Sequence, residues 1–88
     1  MNREEEILTI LQEECAEVIQ AISKIKRFGL EKKNIKQLEK ELGDFLCLLR
    51  FLHEDKIINI DDLFSYAEDK SKKLDKYSVH LRSNKNEN

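Results

Sequence analysis

The stretch LQEECAEVIQAISKIKRFGL, residues 11–30, has the apolar spacing of an amphipathic helix, yet it sets glutamates among the residues that should face a core. Ile7, Leu11, Cys15, Val18, Ile22 and Ile25 recur at helical intervals, which predicts a first helix from about Arg3 to Arg27. At about 100° per residue, Glu14 falls between Ile7, Ile10, Val18 and Ala21, well inside the apolar arc, while Glu17 lies at its edge with Lys24 one step further. Gly29 is the expected stop, just after Lys24, Lys26 and Arg27 in the last turns.

A charged connection, LEKKN (residues 30–34), leads to a second predicted helix from about Asn34 to Glu54, with Asn34 as its expected N-cap and Lys33 expected to project into water. Within it, LEKELGDFLCLLRFL (residues 38–52) places Leu38, Leu42, Phe45 and Leu49 on one expected buried stripe. Leu48 and Phe51 extend the apolar surface around the cylinder, and Glu41 and Asp44 stand one turn apart above them. Gly43 costs about 1 kcal/mol of helix propensity against alanine, which makes sense if a backbone or ligand comes close. A third helix is expected to begin near Asp61, where acidic residues suit an N-terminus, with Leu63, Phe64, Ala67, Leu74 and Leu81 on one stripe. SNKNEN, residues 83–88, lacks apolar anchors and is expected to be a disordered tail to a single helical domain over residues 1–82.

Composition supports an all-α reading. The 88 residues include no proline and two glycines, with 39% charged and 40% apolar residues. A core this small is near the lower limit for a comfortable monomer, and FLCLLRFL (residues 45–52) shows more apolar surface than two neighbouring helices readily cover. A homodimer or homotetramer is therefore expected, the subunits together forming a helical bundle. Sixteen basic and 18 acidic residues give a net charge of −2, so no global field draws the chain to nucleic acid or an anionic membrane. No apolar run approaches the roughly 20 residues of a membrane span, and MNREEE is no signal peptide, so a cytoplasmic protein is expected. Cys15 and Cys47 lack metal-ligand spacing and are expected to be reduced core thiols. His53 and His80 are isolated, and capping or surface roles suit them better than catalysis.

Carboxylates crowded into a packed interface must be protonated, paired with a base, or bound to a cation. An oxygen-only set suits Mg²⁺, or Mn²⁺ in its place, rather than zinc. The competing reading is that E-x-x-E and E-x-x-D spacings arise on solvated faces of any helix this rich in charge. The apolar surroundings favour the metal.

EECAE (residues 13–17), followed after 23 residues by ELGD (residues 41–44), resembles the E-E-x-x-E … E-x-x-D signature of the MazG-like all-α nucleoside triphosphate pyrophosphohydrolases. SKIKRFG (residues 23–29) and KSKKLDKYS (residues 70–78) also look like its short, single-domain phage and bacterial members, and the resemblance runs from about residue 5 to residue 80. It implies a three-helix subunit that hydrolyses a nucleoside triphosphate to the monophosphate and pyrophosphate, in housecleaning or adjustment of the nucleotide pool. Carried onto this chain, it implies Glu14, Glu17, Glu41 and Asp44 as magnesium ligands, with Glu13 near them or at a water. The residue types fit that chemistry, since cleavage between the α- and β-phosphates needs cations, an activated water and basic groups for the leaving pyrophosphate. Lys24 and Arg27 are candidates for the phosphates, against the alternative that bases near a helix C-terminus simply answer its dipole. Lys70, Lys73 and Tyr77 flank the third stripe and could close over the nucleotide, or belong to a solvated face. Phosphoribosyl-ATP pyrophosphohydrolase and a non-enzymatic helical interaction module are the alternative functions. A di-iron bundle would need an E-x-x-H motif that is absent.

Overall fold

A computed structural model describes residues 1–82, which form three helices and no strand: α1 (Arg3–Phe28), α2 (Lys32–Glu54) and α3 (Ile60–Tyr77). The chain is thus all-α, as its periodicity and composition require. The expected disordered tail, residues 83–88, lies outside the described residues. Two compact units make up the chain, one of Met1–Ile58 and one beginning at Asn59.

The first unit is an antiparallel hairpin of α1 and α2. Asn2 caps α1 by accepting from the Glu5 amide at 2.8 Å, and Glu4, Glu5 and Glu6 place negative charge at the positive end of the helix dipole. The helix stops at Gly29, whose φ of 99° suits a residue without a Cβ and whose amide donates to the Ile25 carbonyl at 2.7 Å. Helix α2 starts two residues earlier than its sequence suggests. Glu31 takes the N-cap position, and Asn34 sits buried in the first turn, its amide donating 3.1 Å to the Gly29 carbonyl. Asn34 is therefore a tie across the connection rather than a cap: the sharp stop at Gly29 turns that carbonyl toward the next helix, where a short amide side chain satisfies it.

At the opposite end of the hairpin, the Arg3 guanidinium donates to both oxygens of Asp55, at 2.6 and 3.2 Å, and lies 5.8 Å from the Phe51 ring centroid. This ties the start of α1 to the end of α2. Beside it Ile7, Leu48 and Leu52 form the buried core, with Ile10, Leu11, Leu49 and Ile58 packed against them.

Burial along both helices follows a seven-residue interval, as expected where one helix packs along another. On α1 the inward positions are Ile7, Glu14 and Ala21; on α2 they are Asn34, Glu41 and Leu48. Ile7 packs with Leu48 and Glu14 meets Glu41. The same register sets Ala21 level with Asn34. Of the two faces of α2 expected to be buried, the one bearing Glu41 and Leu48 meets α1, while the Leu38, Leu42, Phe45 and Leu49 stripe is less covered. Leu38, Phe45 and Leu49 are half-buried, and Leu42 is exposed. Cys15 and Cys47 are free, as expected, but exposed rather than in the core. Each is one residue, or about 100° of rotation, away from an inward position.

The second unit carries α3, which begins at Ile60 with Asn59 accepting from the Asp61 amide at 2.9 Å. Asp61 and Asp62 occupy its first turn. The helix ends at Tyr77, and Leu81, expected on its stripe, lies beyond it. Ser78 breaks the helix by turning to extended backbone, and its hydroxyl accepts from the Leu81 amide at 2.9 Å.

Candidate metal centre

The middle layer of the hairpin seam is acidic. Glu14 from α1 and Glu41 and Asp44 from α2 bring one carboxylate oxygen each to within 4.8 Å of one another. Glu41 is only 5% exposed, and Glu14 and Asp44 are half-buried. The i, i+3 spacing of Glu41 and Asp44 sets both on one side of α2, and the seven-residue interval on α1 carries Glu14 in from the other helix.

Hydrogen bonds account for only part of this oxygen set. Gln37, one turn before Glu41, donates its amide to a Glu41 oxygen. Lys40 donates to Asp44 at 2.9 Å and lies 3.8 Å from the other oxygen of Glu41. Oε2 of Glu14 is buried without a hydrogen-bond partner. Burial, and then the negative charges of Asp44 and Glu41, push the Glu14 carboxyl above its ordinary pKa.

A hard divalent cation fits this donor set. Mg²⁺ takes oxygen ligands at about 2.0–2.1 Å, so opposite ligands in its octahedron lie roughly 4.2 Å apart. Adjacent ligands lie closer, roughly 3 Å apart, so three carboxylate oxygens within 4.8 Å of one another would draw together around a shared ion. A bound cation would give the orphaned Glu14 oxygen a partner and offset the repulsion within the layer.

The chain matches the MazG nucleotide pyrophosphohydrolase domain over residues 2–79. It belongs to that family. No curated protein and no solved structure gave a significant match. The MazG domain covers α1, α2 and all of α3 and brings with it an expectation of nucleotide pyrophosphohydrolase activity, a hydrolase function.

Other site residues expected from the sequence are distributed more widely. Glu17 is exposed, one turn beyond Glu14; its oxygens are not part of the three-carboxylate set, although its charge adds to the upward push on Glu14. Glu13 is exposed beside Glu14. Lys24 lines an open cleft where α1 ends and α2 begins, together with Phe28, Glu31, Lys33, Asn34 and Gln37. Lys33 is exposed, as expected, but it lies in the first turn of α2 rather than in the connection and lines the same cleft as Lys24. Arg27 lies with its guanidinium carbon 5.4 Å from the Phe28 ring centroid. Lys70, Lys73 and Tyr77 are exposed on α3.

Two residues that touch the acid layer are not among the candidates its motifs supply: Gln37 and Lys40. Both signals were present as i, i+4 pairs, Gln37 with Glu41 and Lys40 with Asp44. Gln37 also lines the Lys24 cleft, so one side chain belongs to both the acid layer and the cleft.

Proposed function

We propose that the protein hydrolyses a nucleoside triphosphate to the monophosphate and pyrophosphate, with Mg²⁺ (or Mn²⁺) held by Glu14, Glu41 and Asp44. One observation carries this reading beyond the family match. The layer where an apolar seam should continue is instead made of two facing glutamates, one with an orphaned buried oxygen. Such a layer opposes folding unless a cation compensates it, and a buried polar group without a partner calls for a functional reason.

A divalent ion at this site neutralises phosphate charge and lowers the pKa of bound water. The chain's own residues have distinct parts in the proposed reaction. Glu14, Glu41 and Asp44 hold the cation, and Glu17, one turn away, joins them on rotating inward. Glu13, exposed beside Glu14, accepts a proton from the attacking water or orients it. Gln37 fixes the Glu41 carboxylate by its hydrogen bond. Lys24 at the adjoining cleft and Arg27 after it bind the phosphates, and Lys70, Lys73 and Tyr77 supply further contacts to the nucleotide. A role in housecleaning or adjustment of the nucleotide pool, within the cytoplasm, is part of the same proposal.

Assembly into a homodimer or homotetramer belongs to the same proposal. Leu42 and Leu46 on α2 and Ile19 and Ile22 on α1 are exposed, Leu46 by 52%. A second copy presenting the same apolar surfaces would cover them, an arrangement that symmetric association favours. Light scattering at micromolar concentration should give at least a dimer; a well-folded monomer would remove this part of the proposal.

The reaction is tested by incubating the protein and Mg²⁺ with a panel of canonical and modified NTPs and dNTPs in ¹⁸O-labelled water. Attack at the α-phosphorus places the label in the monophosphate and none in pyrophosphate. Label in pyrophosphate, release of orthophosphate, or equal turnover in EDTA would each overturn the proposed chemistry.

A further inference from the structure

We propose that Lys40 is a tethered cation that holds the metal-free acid layer together and is displaced from Asp44 when a divalent ion binds, so that it sets the metal affinity of the site. The inference rests on the reading of Glu14, Glu41 and Asp44 as metal ligands. It concerns a residue outside both halves of the acidic signature.

The geometry places one ammonium against two of the three acids. Lys40 Nζ is 2.9 Å from Asp44 Oδ2 and 3.8 Å from Glu41 Oε1, and its charge also acts on Glu14. Its position is fixed by α2 itself: Lys40 immediately precedes Glu41 and is one turn before Asp44, so the helix carries the cation to the acids without any long-range contact. The Lys40 side chain is 65% exposed, while Glu41 is buried. Lys40 can therefore withdraw into water at little cost, whereas Glu41 cannot leave the seam without opening it.

A monovalent ammonium and a divalent ion would draw on the same carboxylate, that of Asp44. Lys40 donates to Oδ2 of Asp44 and lies 3.8 Å from Oε1 of Glu41, so its charge stands against two of the carboxylates that a cation held by Asp44, Glu41 and Glu14 together would use. The two charges also repel at this range. Lys40 thus lowers the cost of the empty site and raises the concentration of divalent ion needed to fill it. It is a positioning residue acting through Asp44 and Glu41.

Calorimetric titration of EDTA-treated, dialysed protein with MnCl₂ alone tests this. Removing one unit charge a few ångströms from a divalent ion, in a solvent-screened setting, should tighten Mn²⁺ binding by roughly three- to tenfold in K40M. K40R keeps the charge and should bind as wild type. K32M removes the same charge eight residues earlier, about 12 Å along the helix axis, and should also bind as wild type. K40M should melt at a lower temperature than wild type without metal, and its advantage in affinity should shrink in high KCl. An unchanged or weaker Mn²⁺ affinity in K40M, or equal tightening in K40R or K32M, would overturn the role of Lys40. Absence of Mn²⁺ binding by the wild type would instead remove the metal reading on which it rests.

Discussion

The two ends of one helix pair are built to opposite rules. Where α1 begins and α2 ends, Ile7, Leu48 and Leu52 pack together under a bidentate Arg3–Asp55 pair, so each buried group has a partner of its own kind. One heptad further along α1 and one heptad back along α2, the same seam positions hold Glu14 and Glu41. Apolar residues there would have continued the core at no electrostatic cost. The difference sets a packed, stabilising end at Leu52 against an acid layer that costs stability where it lacks a counter-charge.

Changing Glu41 should therefore separate function from folding most sharply. Glu41→Gln keeps the shape of the side chain and leaves Gln37 an oxygen to donate to, but removes a metal-binding charge. Substitution of groups that merely support metal ligands costs about 10- to 100-fold in affinity or activity, so loss of a ligand should exceed roughly 100-fold in turnover. The rise in melting temperature caused by Mg²⁺ should vanish as well, while circular dichroism stays helical. A variant that retains near-normal turnover would show that the acid layer is not the metal centre.

The reciprocal change belongs to the apolar end. Leu52 is 4% exposed and packed within the core, so Leu52→Ala should cost about 2–5 kcal/mol through lost burial and the cavity left behind. Urea denaturation would read this as a lower midpoint. With the protein held folded in dilute buffer, Mg²⁺ should still bind, because Leu52 is not in the layer of the proposed ligands and lies more than two helical turns from Asp44 and Glu41. Loss of metal binding in a variant that remains folded would mean that the two ends act as one unit.

Much of this contrast could be read before any coordinates. Three helices, the stop at Gly29 and the inward position of Glu14 follow from local rules, since helical periodicity and glycine backbone freedom act within a few residues. The two halves of the acidic motif, EECAE and ELGD, were legible too, as a resemblance to the MazG-like family that the family match bears out. Which side of α2 would meet α1 did not follow. Its apolar residues surround most of the cylinder, so both the Leu38–Leu42 side and the Glu41–Leu48 side were expected against neighbours, and only the hairpin picks the second, with Asn34, as the face that meets α1. Misplacing Cys47 as a core residue came from the same ambiguity, whereas Asn34 was misplaced as a cap because α2 begins two residues earlier, at Lys32. Lys40 went unnoticed because a lysine among charged residues looks like surface, and only the position of the acid layer gives its ammonium a purpose.

The smallest expected effect is in pH, where the two ends should differ in sign. The Arg3 hydrogen bond, and then its charge acting against partial burial, hold the Asp55 carboxyl below its ordinary value of 3.8. Its contribution is present above that value and is lost as pH falls through the lower, folded pKa. Glu14 is raised above its ordinary 4.5 by burial and by its acidic neighbours, so the folded state favours its protonated form. Its contribution is fully present below 4.5 and is lost as pH rises through the folded pKa. In EDTA, Asp55→Asn should be less stable than wild type at neutral pH, and the gap should close in acid. Glu14→Gln should match wild type in acid and become the more stable protein as pH rises, because it removes a charge that the metal-free layer does not accommodate. Urea midpoints measured from about pH 3 to about pH 7 would read both trends. If Glu14→Gln were instead destabilised at neutral pH without metal, the acid layer would be a structural ion-pair network centred on Lys40, and the contrast between the two ends of the hairpin would be one of packing alone.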